Sequence, residues 1–264
     1  EDASVCLGES IQLSATPAGG TWTGIGVSPT GLFDSSALAA GDYEVTYSVT
    51  DSNTCDGSDS ATVMVNVLPE PVAQDASVCI GATVQLGAGP EGGIWSGTGV
   101  SPTGLFDTAG LPAGDYEVTY TVTDSNTCVG ETTATVTINP LPIAAISGTL
   151  EICSGSSTTL TASGGDSYEW STGSTEESIE VSPEITTTYS VTVTSVEGCK
   201  SSTAYEVTVH ALPEAEITGD DEICLGESTT LTASGGDSYE WSTGSTDKSI
   251  EVSPETTTTY SVTV

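Results

Sequence analysis

Apolar residues in this chain recur at every second position and never at the spacing of a helix. Tyr43, Val45, Tyr47 and Val49 alternate with Glu44, Thr46, Ser48 and Thr50, the pattern of a strand with one face buried and the other in water. Tyr116 to Val122 repeats it. Ala61, Val63, Val65 and Val67 supply a closing strand, and Ile11, Leu13 and Ala15 an early one. Gly, Pro, Asp and Asn punctuate these runs. Six or seven short strands in roughly 70 residues predict a small β-sandwich, all-β and without helix.

The same plan recurs four times. Cys6 and Cys79, Cys55 and Cys128, and Trp22 and Trp95 are each 73 residues apart, and GVSPTGLFD stands at both Gly26 and Gly99. A second version follows at a period of 71, which separates Cys153 from Cys224 and Trp170 from Trp241. Its segment TTLTASGGDSYEWSTGST is identical from Thr158 and from Thr229. Fixed periods of this size mark a repeat architecture. Leu68-Pro69, Leu141-Pro142 and Leu212-Pro213 each follow a Val-rich strand. Proline lacks the N–H that would continue a ladder and fixes its own φ, so these are short, stiff junctions. The expected domains are therefore residues 1–70, 71–143, 144–214 and 215–264, strung as an elongated rod. The fourth is expected to lack its last strand and second cysteine.

Each repeat pairs an early cysteine with a late one. The expected disulfides are Cys6 with Cys55, Cys79 with Cys128 and Cys153 with Cys199, since a domain of about 70 residues has a thin core and closing a loop of about 50 residues adds roughly 4 kcal/mol. Disulfides imply an oxidising, extracytoplasmic compartment. Zinc is the rival, but two cysteines per repeat without CxxC, and His210 as the single histidine, do not complete a tetrahedral shell. Cys224 would pair near position 270 of a longer chain, or else stand free or join another molecule.

Trp22, Trp95, Trp170 and Trp241 occur once per repeat. Such rings can stack on sugars, but a sandwich poor in Leu and Phe needs them between its sheets. Core packing is the expectation.

Composition narrows the function further. Thirty-seven acidic residues face two lysines, Lys200 and Lys248, and the formal charge is −35. Nucleic acids and anionic membranes are bound through Lys and Arg clusters, so both are excluded as partners. No catalytic constellation stands out, because a glycosidase needs two carboxylates in one cleft and small tandem sandwiches offer none. No enzyme activity is expected and no cofactor is required. Calcium is the cation that suits so acidic a chain, since it takes six to eight oxygens. The candidate ligands are Asp51, Asn53, Asp56 and Asp59, of which the second repeat keeps Asp124 and Asn126 but not the others. Asp220 and Asp221, with Glu214, Glu216 and Glu222 at the third junction, form a second candidate; a solvated acidic surface is the plainer reading. Ser60 and Thr108 sit in Asp-Ser/Thr-Ala contexts that resemble an O-glycosylation acceptor pattern of Bacteroidetes.

Ile152-Cys153-Ser154-Gly155, TTLTASGG, Tyr168-Glu169-Trp170-Ser171-Thr172-Gly173, Ile179-Glu180-Val181-Ser182-Pro183, TTTYSVTVT and Gly198-Cys199 follow one another in the third repeat. That succession resembles the PKD-like and immunoglobulin-like tandem repeats of Bacteroidetes secreted surface proteins, of the gliding-motility-associated type. DASVC and AGDYEVTYTVTD in the first two repeats resemble a sister version. The resemblance implies a long adhesin or surface filament exported by type IX secretion, whose partners are other copies, neighbouring surface proteins or glycans. Two alternatives stay open: spacer or carbohydrate-binding modules of a large secreted hydrolase, and a filament subunit that polymerises by strand donation.

Overall fold

The computed structural model describes residues 2–264. Among them every regular element is a strand. The chain divides into two compact units, Glu1–Leu141 with Glu197–Cys199, and Pro142–Val196 with Lys200–Val264.

In the first repeat the alternating segment Gly41–Thr50 forms a long antiparallel hairpin with Asp56–Asn66, so that Val45 and Tyr47 face the core while Glu44 and Ser48 face water. Thr21–Gly24 adds to one edge of the hairpin, and Ala3–Cys6 to the other. The Ala3–Cys6 strand runs parallel to its neighbour, with Cys6 opposite Asn66. A second sheet, Ser10–Gln12 with Leu32–Asp34, closes the sandwich over Trp22, Phe33, Val45, Val63 and Val65. The second repeat has the same arrangement: Ile94–Gly97, Gly114–Thr123, Val129–Asn139 and Ala76–Cys79 in one sheet, and Thr83–Gln85 with Leu105–Asp107 in the other.

A tyrosine hydroxyl ties each long hairpin to the segment before it. Tyr43 Oη donates to the Ala39 carbonyl at 2.8 Å, and Tyr116 Oη to the Pro112 carbonyl at 3.0 Å. Both bonds reach four residues upstream, as in the tyrosine corner of immunoglobulin domains.

The third repeat pairs Glu151–Cys153, Lys200–His210, Thr187–Thr194 and Ser167–Trp170 in one sheet, and packs it on Ala145–Gly148, Thr158–Ser163 and Ser178–Val181. The fourth keeps Glu216–Thr218, Thr229–Ser234 and Ser249–Val252 together, and its other sheet is Glu240–Trp241 with Val262–Thr263. Each repeat has its own apolar cluster. The fold is a series of tandem immunoglobulin-like β-sandwiches.

Candidate functional site: the cysteine-bearing ends of the repeats

The sheet register places the two cysteines of one repeat at opposite ends of the same sheet. Cys6 lies opposite Asn66, the last residue of Asp56–Asn66, whereas Cys55 immediately precedes the first. Ten residues of strand at about 3.3 Å each put roughly 33 Å between them. A disulfide needs Cα atoms within about 7 Å. The expected pairing inside each repeat is therefore wrong, and the register explains why. Cys79 opposite Asn139 and Cys153 opposite His210 have the same relation to Cys128 and Cys199.

The bonds run between repeats instead. Cys6 is joined to Cys128 and Cys79 to Cys199, each with Cα atoms 5.5 Å apart. The early cysteine of one repeat thus bonds to the late cysteine of the next, twice in succession. Residues 197–199, which carry Cys199, belong with the first compact unit. Cys55, Cys153 and Cys224 are free and exposed, which corrects the assignment of Cys55 and Cys153 to disulfides.

Both halves of each staple are shaped by local sequence. After every early cysteine a turn closes with the residue three positions on donating to the cysteine carbonyl: Glu9 to Cys6, Ala82 to Cys79, Ser156 to Cys153 and Glu227 to Cys224, at 3.0 to 3.1 Å. Gly8, Gly81, Gly155 and Gly226 take the left-handed position in these turns, with φ between 84° and 89°, where a side chain is strained. In the first two repeats a buried hydroxyl secures the turn. Ser35 Oγ donates towards the carbonyls of Cys6 and Glu9, at 3.0 and 2.8 Å. Thr108 Oγ1 donates to the Ala82 carbonyl at 2.9 Å and accepts from the Gly81 N–H at 2.8 Å. Thr108 is 1% exposed, so it is no acceptor for a sugar in the folded protein. Ser60 lies exposed on its strand.

The late cysteines sit in hairpin loops, and Asp51, one of the calcium candidates, builds the first of them. Asp51 Oδ1 accepts the N–H groups of Asn53 and Cys55, at 2.8 and 2.9 Å. Asp124 does the same for Asn126 and Cys128 at the same distances. The N–H groups of Cys55 and then Asn53 hold the Asp51 carboxyl below its ordinary range. Asp34 is likewise lowered, by the N–H and then the hydroxyl of Ser36. Asp56 accepts from the Thr50 hydroxyl at 2.6 Å, and Asp59, paired with Tyr47 across the hairpin, is exposed. At the third junction Asp220 and Asp221 are exposed, and the Asp220 carbonyl accepts from Thr229. Among the described residues no three His, Cys, Asp or Glu side chains gather where they could hold a metal ion. The signal for the hairpin role was the retention of Asp124 and Asn126 without counterparts of Asp56 and Asp59.

Two residues beyond the late cysteine, the hairpin meets the proline junction that precedes its repeat. Gly130 approaches the Pro69 carbonyl so closely that any Cβ would overlap it. In the third repeat the same position is Ser201, whose hydroxyl donates to the Pro142 carbonyl at 2.6 Å. Gly57 is the equivalent in the first repeat, and a Cβ there would meet nothing within 4 Å.

The four tryptophans are buried, from 2% to 8% exposed. Trp170 and Trp241 each donate the indole N–H to a backbone carbonyl six residues on, that of Glu176 and Asp247 respectively. Trp22 and Trp95 pack tilted against Tyr47 and Tyr120, with centroids 5.1 and 5.0 Å apart. Rings held this way present no open face to a sugar. His210 Nε2 lies 3.5 Å from Glu151 at an exposed strand end.

Neither a protein-family model nor a curated protein matches the sequence. Among solved structures the chain is similar to the N-terminal eight immunoglobulin domains of Down Syndrome Cell Adhesion Molecule, at 12% identity and a TM-score of 0.35, covering 91% of this chain and 40% of that one. It is similar to a three-immunoglobulin-domain fragment of titin at 14% identity and a TM-score of 0.33, covering 80% of this chain and 96% of that one. A Ca2+-stabilized adhesin with which an Antarctic bacterium binds ice matches at 14% identity and a TM-score of 0.37, over 89% of this chain and 80% of that one. Likenesses at this level assign neither family nor activity to the chain. Its own sheets, junctions and disulfides remain the basis for function.

Proposed function

We propose that this chain is a non-enzymatic structural or adhesive repeat protein of the cell exterior, part of a long surface adhesin or filament of the kind found among PKD-like Bacteroidetes proteins. The observation that carries this reading is the linkage of Cys6 to Cys128 and of Cys79 to Cys199. Bonds that join successive repeats, rather than closing each one, suit a molecule whose task is to stay connected under load or proteolysis. They form and persist in an oxidising compartment. The charge of −35 keeps such a chain soluble and discourages non-specific association. Partners on this reading are neighbouring surface proteins or further copies of the chain, reached through exposed Thr- and Ser-rich sheet faces. Export by type IX secretion goes with the Bacteroidetes resemblance. The burial of the tryptophans speaks against carbohydrate-binding modules.

The test is protease shaving of intact producing cells, with mass mapping of the released peptides without reduction. Recovery of these peptides from the cell surface, with Cys6 bonded to Cys128, is the expected result. Recovery only after lysis, with all cysteines reduced, would overturn the proposal.

A further inference from the structure

The turns and loops that carry the cysteines have the same form whether or not a disulfide is present. Cys153 and Cys224 are free and exposed, yet Ser156 and Glu227 donate to their carbonyls at 3.0 Å, as Glu9 does to that of bonded Cys6. Free Cys55 and bonded Cys128 each donate their N–H to the aspartate four residues upstream at 2.9 Å, and Thr54 and Thr127 before them have φ values of 68° and 66°. Among the described residues, no cysteine belongs to any of the four apolar clusters. A disulfide therefore shapes neither the turn, nor the loop, nor the core of the repeat that carries it. We propose that the staples are redox locks set on repeats that are already folded: each sandwich forms first and holds its own two thiols apart, and oxidation then joins an early cysteine to the late cysteine that the proline junction brings beside it.

Two features of the first junction make that selection. One is exclusion. Cys55 follows Cys6 by 49 residues (55 − 6 = 49) and Cys128 follows it by 122. In an unfolded chain, where loop closure becomes rarer as the 3/2 power of loop length, Cys6 meets Cys55 about four times as often as it meets Cys128. The folded sheet reverses this preference, because roughly 33 Å of strand separates Cys6 from Cys55. The other feature is placement. Cys6 lies opposite Asn66, and Leu7 donates to the Asn66 carbonyl at 2.9 Å. Three residues on, the Pro69 carbonyl rests against Gly130, two residues past Cys128. The junction that leaves the first repeat is thus the seat of the hairpin that carries Cys128, and Gly130 is the positioning residue for the bond. Seating also changes the surroundings of the thiol. Cys128 is fully buried, whereas Cys55, on a hairpin whose Gly57 meets nothing within 4 Å, is exposed.

A lock of this kind closes by exchange with a low-molecular-weight disulfide, RSSR. One cysteine thiolate attacks it, a mixed disulfide forms, and the RS⁻ that leaves takes up a proton. The second thiolate then displaces the other RS⁻, so that two cysteines are oxidised and RSSR is reduced to two RSH. Excess RSH runs the same steps backwards and opens the lock with both sandwiches still folded.

The test takes the full chain, reduces it with dithiothreitol in the absence of denaturant, and reoxidises it at low concentration with oxidised glutathione. Amide exchange follows the sandwiches after reduction, and mass mapping without reduction reads the bonds after reoxidation. Protection across Gly41–Thr50 and Gly114–Thr123 should survive reduction, and Cys6 should return to Cys128 and Cys79 to Cys199. Reoxidation in urea should instead give Cys6–Cys55 in about fourfold excess over Cys6–Cys128. Loss of protection on reduction, or a Cys6–Cys55 bond from the natively reduced chain, would overturn the proposal, as would recovery of the native pairing in urea. In a Gly130→Val variant the Cys79–Cys199 bond should form while most of the Cys6–Cys128 bond is lost. An undiminished Cys6–Cys128 bond in that variant would overturn the role of the seat.

Discussion

Cys6 and Cys128 stand 122 residues apart in the chain and 5.5 Å apart at Cα, although Cys55 is the nearer cysteine in sequence. The strand that carries Cys6 lies parallel to Asp56–Asn66 and ends where that strand ends. The sulfur of Cys6 is thereby at the end of its own repeat that faces the next one. With Cys79 bonded to Cys199, the two closed loops overlap between residues 79 and 128, and the repeats are interlocked.

Interlocking sets how far the chain extends when pulled. Between residues 6 and 199 the shortest covalent path crosses both disulfides and includes only residues 79 to 128 (128 − 79 = 49). At about 3.5 Å per residue that is about 170 Å of contour. The reduced chain offers 193 residues (199 − 6 = 193), or about 680 Å. Single-molecule stretching between tags fused at these points should show the longer contour only with a reductant present. Equal lengths in both conditions would mean that the bonds do not link the repeats.

The Thr108 hydroxyl accepts from Gly81 and donates to Ala82, so Thr108→Val removes both of these hydrogen bonds at nearly constant shape. The expected loss is about 1–3 kcal/mol, read by denaturant unfolding of the oxidised protein. A loss under about 0.5 kcal/mol would show that the hydroxyl does not hold the turn.

The Asp51 carboxylate accepts two backbone N–H groups, which lowers its pKa from 3.8 in the folded state. A group depressed in this way contributes stability that is complete above its unfolded pKa and is lost as pH falls through the folded one. Asp51→Ala should therefore melt at a lower temperature than wild type at neutral pH, with the gap narrowing below pH 3.8. Because the side chain serves the loop, the neutral-pH gap should be the same in calcium and in a chelator. A gap seen only with calcium would restore the cation site.

The segments from Thr158 and Thr229 share eighteen identical residues, but their surroundings differ. Thr158 and Leu160 are buried, whereas Thr229 and Leu231 are only partly so. In the third repeat the facing sheet has four strands, and in the fourth it has two. Amide exchange across 158–163 should be slower than across 229–234 under conditions where local opening is followed. Equal protection would show that the added strands contribute nothing to the local stability of this segment.

Much of the fold was legible in the residues. The alternation at Tyr43 to Val49 and at Tyr116 to Val122, punctuated by Gly and Pro, specifies long hairpins, because a period of two puts one face of a pleated strand in the core. The repeat of Cys, Trp and Leu-Pro at fixed intervals specifies four similar units. Pairing of the cysteines was not legible, because sequence separation says which residues recur and not which end of a sheet each occupies. Parallel docking of Ala3–Cys6 against Asp56–Asn66 decides that, and with it the direction in which Cys6 reaches. Thr108 lay in a glycosylation-like context until the turn at Gly81 closed over its hydroxyl. Gly57 and Gly130 are one letter in one register, and only through-space contact separates the exposed strand position from the seat of a neighbouring carbonyl. Local periodicity determined the strands of this protein, and long-range register, set by packing among segments far apart in the chain, decided how its repeats are bonded.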